Sequence, residues 1–397
     1  MLLELLLGSL SLHAHPAGSN TVLTVDDDGP ADFAQVRDAV LAAPEGATLL
    51  VRPGLYRGFV ADGKGLQILG ESGVLIGGSF TADIDTTMIT NLAANQEFVL
   101  QGVELVAPLR IQSNAGSVWV EDCLVSGSIA SGFVASNTNV VDSASVVFRD
   151  CELRGIPAGT SGDIAGLSVS VVSQVHVFDS VMLGGTGGFD GGDGASVRGG
   201  SFLFASGSTF DGGDGIDLGD FPGCEPDGLA TCIGGNGVTL SLGSEAVLVN
   251  PTLSFGTGPN APGENLSIAP GSSATVLHRS PRRVSVPGPL TAGQPTTIEL
   301  EGSANEVAVI LYSDGMGGLY LPGFLSSLVL ASPLLSLAPL VLDPAGSASL
   351  MLVPALPPGT LSRTLFVQPL FFDPSGVPGS QVTLGAGTAV TILDPAL

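Results

Sequence analysis

The apolar residues of this chain fall in short runs, cut by glycine, proline or a polar turn residue, and within the runs they alternate with polar ones. Period-two alternation reads as strands, and one strand pattern recurs. Val118-Trp-Val-Glu-Asp-Cys-Leu-Val-Ser-Gly127 is echoed by Val146-Val-Phe-Arg-Asp-Cys-Glu-Leu-Arg-Gly155 and by Val175-His-Val-Phe-Asp-Ser-Val-Met-Leu-Gly184, which puts Cys123, Cys151 and Ser180 28 and 29 residues apart. Looser copies place Ser208 another 28 on and Pro251 a further 43 on, while Phe98-Val-Leu-Gln-Gly-Val-Glu-Leu105 precedes the series by 20. One such unit cannot bury its apolar face alone. Stacked units can, at the ordinary strand spacing of about 4.8 Å per turn. The spacing therefore predicts one continuous parallel coil over about residues 47–275, with Cys123, Cys151 and Ser180 in register. Asp122, Asp150, Asp179 and Asn250 recur at the turn of each unit and read as a structural ladder whose side chains satisfy the turn backbone.

The flanks are different. Phe33, Val36, Val40 and Ala43 follow helical spacing, Asp32 with Gln35 has the form of a capping box, and Pro44 stops the helix. A helix here closes the open end of the coil. From about Arg282 the texture shifts to alternating or apolar segments between Gly and Pro turns, such as Thr296 to Glu301, Glu306 to Tyr312, Ser347 to Val353 and Thr364 to Phe372, the pattern of a β-sandwich. The first residues carry an apolar run, Leu2 to Leu12, which is long enough for a signal-peptide core and too short to span a bilayer. Three segments follow: a leader over 1–19, a parallel coil over 20–280 and a β-sandwich over 281–397. The fold class is all-β.

Composition narrows the partners. Gly and Pro number 57 and 27, aromatics are 5%, and the formal net charge is −25 with 12 Lys and Arg in all. Lys64 is the single lysine. Nucleic acid is excluded as a partner, since the chain has no cation cluster to hold phosphates. Residues 20–280 hold 29 acidic and 9 basic groups, so this part repels anionic polymers and favours cations or neutral glycans. The four cysteines divide in two: Cys224 and Cys232 bracket a Gly-rich loop within the long 43-residue spacing and are expected to form a disulfide after export, whereas Cys123 and Cys151 are expected to stay reduced as core fillers.

Candidate chemistry concentrates in Gly184-Gly-Thr-Gly-Gly-Phe-Asp-Gly-Gly-Asp-Gly194 and Phe210-Asp-Gly-Gly-Asp-Gly-Ile-Asp-Leu-Gly-Asp220. Carboxylates among glycines suit a hard cation, because glycine lets backbone carbonyls turn toward it. Asp211, Asp214, Asp217 and Asp220 are the candidate Ca²⁺ ligands, set against a plain reading as Gly-rich turns. Gly212-Gly-Asp-Gly-Ile-Asp-Leu-Gly219 matches the nonapeptide of calcium-binding β-rolls once, and Ser196 stands where a second copy needs its ligand. Arg149, Arg154 and Arg198 read as solvated face residues, and His176 as an outward or filler residue without a catalytic partner.

The order of strand, capping helix and Val51-Arg-Pro-Gly-Leu-Tyr56 resembles the start of pectin-lyase-like right-handed parallel β-helix proteins over roughly residues 20–270, including their pectin methylesterase branch. The resemblance implies that fold. It implies little about activity, because the paired carboxylates and arginine of the esterases sit in motifs such as GTVDFIFG that the chain lacks. Leu365-Phe-Val-Gln-Pro-Leu-Phe-Phe-Asp-Pro374 resembles a C-terminal module of bacterial secreted proteins. The expectation is a secreted or surface protein, structural or in contact with an extracellular glycan or cell-envelope component, without catalysis or membrane span. The alternative is a polysaccharide lyase or glycoside hydrolase using carboxylates on the coil, with Ca²⁺ as a helper. Two carboxylates about 5–10 Å apart in an open groove would mark that alternative.

Overall fold

The computed structural model describes residues 21–77, 86–126, 137–156, 164–186, 190–215, 232–280, 282–322, 326–374 and 382–397. The chain divides into two compact units, the first built on Leu23–Glu45 and Leu49–His278, the second on Arg279–Leu397.

The first unit is a right-handed parallel β-helix with three faces. One face stacks Val22–Val25, Thr48–Val51, Gln67–Gly70, Glu97–Gln101, the second half of Leu109–Glu121, the second half of Thr138–Arg149, Gln174–Phe178, Phe202–Ser206, Glu245–Val249 and Ser273–Leu277. A second face stacks short strands from Gly54–Tyr56 to Thr252–Ser254, and a third runs from Val60–Asp62 to Leu266–Ile268. The ladders between these strands are parallel. The repeat read from the sequence is in register: Val118 pairs with Val146, Val146 with Val175, and Val175 with Leu203. The copy 20 residues earlier falls into line too, with Phe98 beside Val118. Alternate side chains of each strand, among them Val118, Val120, Phe148, Val177 and Leu248, point inward and are buried, which is the source of the coil's stability.

Two columns of small polar side chains run inside the corners. In one, the Cys151 amide donates to Ser180 Oγ at 3.0 Å and the Ser180 amide to Ser208 Oγ at 3.3 Å, with Cys123 at the same position one turn earlier. In the other, the amides of Ser143, Ser173, Ser201 and Ser244 donate to Oγ of Ser173, Ser201, Ser244 and Ser272 in turn. Each hydroxyl satisfies a buried N–H that the bend removes from the strand ladder. The sequence reading did not single out the second column.

The turn residues behave differently from the expectation. Asp122, Asp150, Asp179 and Asn250 all have positive φ, between 48° and 53°, and Gly102 and Gly207 occupy the same place on neighbouring turns. Here the main chain satisfies itself: the amides of Asp122, Asp150 and Asp179 donate to the carbonyls of Arg149, Phe178 and Ser206 on the next turn. The small internal Ser and Cys one residue later do the capping expected of the aspartates.

At the first turn lies the helix Val36–Ala42, with Val36, Ala39 and Val40 buried. The capping box does not form. Asp32 instead accepts from the Thr24 amide at 2.8 Å and the Thr24 hydroxyl at 2.9 Å, and Gln35 Oε1 accepts from the Arg57 amide, because the strand beside the helix start offers closer donors. The helix C-terminus is capped by Lys64, whose Nζ donates to the carbonyls of Val40 and Leu41 at 3.0 Å.

The second unit is a β-sandwich. An antiparallel sheet of Arg283–Ser285, Thr296–Glu301 and Ser347–Leu352 contributes Val284, Ile298 and Leu300 to a shared core. The larger sheet, centred on Ser362–Phe372 between Val307–Ser313 and Thr388–Leu393, contributes Ile310, Val367, Phe371, Val390 and Ile392. Gln368 is buried and saturated: its Oε1 accepts from the Val329 amide, and its Nε2 donates to the Ser327 and Gly385 carbonyls. No helix among the described residues is long and apolar enough to cross a membrane.

Candidate functional site

Outside the corner that carries the turn aspartates, the coil surface is hollowed into a groove of about 560 Å³. Glu104, Asp122, Asp150, Glu152 and Asp179 are its carboxylates, and Cys123 and Cys151, whose thiols are buried inside the corner, are also among its lining residues. The repeat creates the row. Residues at one register of successive turns stand about 4.8 Å apart, so Asp122, Asp150 and Asp179 follow one another along the groove. Glu104 and Glu152 flank Leu124 on neighbouring turns of the adjoining face.

The charges are not equivalent. Asp150 lies against Arg149 Nε at 3.1 Å, while burial and the Asp150 charge hold the Asp122 carboxyl above the ordinary carboxylate range. Arg149 itself is buried, not solvated as its sequence context suggested; it also pairs with Glu121, which accepts a hydrogen bond from Trp119 Nε1 at 2.8 Å. A buried arginine keeps its charge by pairing. Arg154 is paired with Glu152 at the surface, and Arg198 is exposed. Both arginines at the groove are thus bound to its own carboxylates, and the groove is acidic. Cys123 and Cys151 are free and buried, and burial together with the adjacent Cys123 thiol raises the Cys151 pKa well above the ordinary range.

His176 shares the register of Trp119, Val147 and Phe204 yet is buried, with Phe202 and Phe204 rings 6.4 Å from its own. Burial lowers its pKa to about 4. It is neutral at pH 7 and is not among the residues lining the acidic groove.

In the described part of the Gly/Asp segment, backbone hydrogen bonds link one turn to the next. The amide of Gly192 donates to Gly185 O, Gly213 to Gly192 O, Gly235 to Gly213 O, Gly256 to Gly235 O and Gly263 to Gly256 O, a backbone relay across successive turns. Main chain lies directly on main chain. A Cβ on Gly213 would come within 2.2 Å of Gly185 O, and one on Gly235 within 1.9 Å of Gly192 O. The accompanying aspartates serve the next turn: Asp211 Oδ1 accepts from Ser254 Oγ, Asp214 Oδ1 from the amide and hydroxyl of Thr257, and Asp193 Oδ1 from the Asn236 amide. Of the four candidate Ca²⁺ ligands, Asp217 and Asp220 lie outside the described residues. Cys232 is buried and disulfide-bonded; Cys224 also lies outside them. Among the described residues, the three carboxylates close enough to share one ion are Asp26, Asp27 and Asp28. They cap a turn, where Asp26 Oδ1 accepts from the Gly29 amide and Asp27 Oδ2 from the Leu55 amide.

Sequence reasoning named the aspartates of the groove as turn residues and passed over Glu104 and Glu152. Their shared signal is an acidic residue two places past the turn position in two of the copies, Glu104 after Gly102 and Glu152 after Asp150.

No family model matches the sequence, and no curated protein matches it. Among solved structures, the chain is similar to the pectin methylesterase from Aspergillus niger, with 13% identity over 67% of this chain and 86% of that one and a TM-score of 0.34. It is similar also to the pectate lyase Pel9A, with 12% identity over 62% and 79% and a TM-score of 0.33. The assignment of the coil rests on its parallel ladders.

Proposed function

We propose that the protein is a secreted or surface-displayed, non-catalytic β-helix that contacts a neutral, hydroxyl-rich glycan through the acidic groove. The observation that carries this reading is the row of carboxylates at a constant register, with both nearby arginines already engaged. Carboxylates accept hydrogen bonds from sugar hydroxyls, and a row at one repeat offers them to an extended chain. Uncompensated negative charge disfavours polyuronate. Among the described residues no base with a cation for a uronate stands in the groove, and His176 is buried and neutral. The leader-like N-terminus and the expected Cys224–Cys232 bridge support export.

One observation favours a second reading, a glycoside hydrolase. Asp122 and Asp150 sit on adjacent turns of an open groove, and burial with the neighbouring Asp150 charge holds the Asp122 carboxyl above the ordinary range, as suits an acid beside a carboxylate partner. A glycan array run beside activity assays on the same polysaccharides separates the two. Binding that is lost in Asp122→Asn with Asp150→Asn, without turnover by the unmodified protein, supports the first; turnover abolished by either substitution supports the second. Absence of both binding and turnover overturns both.

A further inference from the structure

Among the described residues Cys123 and Cys151 are the free thiols, and the coil brings them to one place. Each follows a turn aspartate, Asp122 or Asp150, and precedes the paired Leu124 or Glu152, so the two cysteines share a register on neighbouring turns. Both are inside, 3% and 2% exposed. The Glu152 amide donates to Cys123 O at 2.9 Å, which holds the two backbones at the ordinary strand spacing of about 4.8 Å. The sulfurs converge as well. Cys123 Sγ donates to Glu121 O at 3.2 Å, and Cys151 Sγ, besides its contact with Arg149 O, reaches across to Val120 O on the Cys123 turn at 3.4 Å.

A small inward side chain is all that the corner needs for packing, and Val103, Ser180 and Ser208 supply it on the other turns. Two thiols side by side can do more. Flat parallel strands do not usually aim two side chains at each other, which is why the sequence alone reads these cysteines as separate fillers. Here Asp122 and Asp150, both at positive φ, break the pleat just before them, and Cys151 leans along the coil axis toward the earlier turn. A disulfide spans Cα separations of about 4.4–6.8 Å. The strand spacing falls inside that window. Cys232 is disulfide-bonded, and a chain that forms one disulfide meets the oxidant for a second.

We propose that Cys123 and Cys151 are a disulfide-forming site, which staples two neighbouring turns of the coil behind the acidic groove. The oxidant is a disulfide, that of glutathione or of a protein oxidant. The thiolate of one cysteine attacks a sulfur of that disulfide and releases one reduced thiol; the other cysteine attacks the mixed disulfide and releases the second. Two S–H bonds and one S–S bond are exchanged for one S–S bond and two S–H bonds, so both electrons and both hydrogens end on the oxidant. In the folded coil, burial and the Cys123 thiol keep Cys151 protonated and slow to react. The bond therefore forms while the two turns are meeting.

The test is to fold the full chain with oxidised and reduced glutathione, block remaining thiols with iodoacetamide in urea, and digest with trypsin. Arg110, Arg149 and Arg154 are the cleavage sites around the pair, so Cys123 leaves in peptide 111–149 and Cys151 in peptide 150–154. The expected result is these two peptides joined, with a mass two hydrogens below their sum, and separated by reductant. Cys123→Ser with Cys151→Ser keeps a small inward donor on both turns, as Ser180 does, and should shift the urea midpoint below that of the oxidised protein, because the cross-link no longer restricts the unfolded chain. The peptide link is read on the unmodified protein and so decides the matter even if the variant misfolds. Alkylated Cys123 and Cys151, either of them joined to Cys224 or Cys232, or a folded serine variant with an unchanged midpoint would each overturn the inference.

Discussion

Ser180 accepts at Oγ from the amide of Cys151, one turn earlier in the coil, at 3.0 Å, and its hydroxyl donates to Phe178 O at 2.7 Å. The thiols of Cys123 and Cys151 stand in the same column, each aimed at the carbonyl two residues before it. One size and one donor geometry are demanded at every level. Ser180→Ala leaves a buried N–H without its acceptor and should cost about 1–3 kcal/mol, whereas Ser180→Cys should cost less, since neighbouring turns already use a thiol. Urea unfolding of both variants checks this, and equal losses would mean that the hydrogen bond is not what the column supplies.

The glycine relay predicts a contrast between two chemically identical substitutions. Gly235→Ala drives a methyl group into the carbonyl of Gly192 and should cost more than about 4 kcal/mol or prevent folding. Gly200→Ala, at φ +70° with open space around it, should cost about 1–2 kcal/mol from backbone strain alone. Comparable melting temperatures for the two variants would show that the turns relax where the structure is closely packed.

Asp214→Ala removes the acceptor for the Thr257 amide and hydroxyl at an exposed position, and should lower stability by about 1 kcal/mol. The loss should be the same in EGTA and in millimolar Ca²⁺ at matched ionic strength. An additional loss that appears only with Ca²⁺ present would instead make the segment around 190–220 an ion site.

His176 links stability to pH. Its folded pKa of about 4 lies below the ordinary 6.5, so between these values the unfolded chain takes up a proton that the folded chain refuses. Its contribution is complete above pH 6.5 and is lost as the pH falls toward 4, by about 2 kcal/mol between pH 8 and pH 5. His176→Leu should flatten this part of the stability profile. Unchanged acid sensitivity in that variant would move the cause to another group.

Lys64→Met should cost about 0.5–1 kcal/mol by uncovering the carbonyls of Val40 and Leu41. Because the side-chain stem is kept, the change tests the cap alone, and circular dichroism melting of the variant suffices to measure it.

The amino-acid sequence by itself determined the coil, because stacking in register forces every turn to repeat its inward residues: the 28- and 29-residue spacing of Cys123, Cys151 and Ser180 is that constraint written in the chain. It determined the helix at the first turn and the change to a sandwich near Arg282 for the same reason, that a local period reports which face must be buried. The capping box of Asp32 and Gln35 failed because Thr24 and Arg57, distant along the chain, compete for their side chains. Arg149 and His176 looked like surface residues on an alternating strand, and only their three-dimensional surroundings made them buried. In the Gly/Asp segment the backbone of each turn lies on the next, and close approach between main chains separated by 20 or more residues leaves no local pattern except glycine itself. The acidic groove was likewise decided in three dimensions, because a row of side chains becomes a surface only when the pitch of the coil sets them side by side.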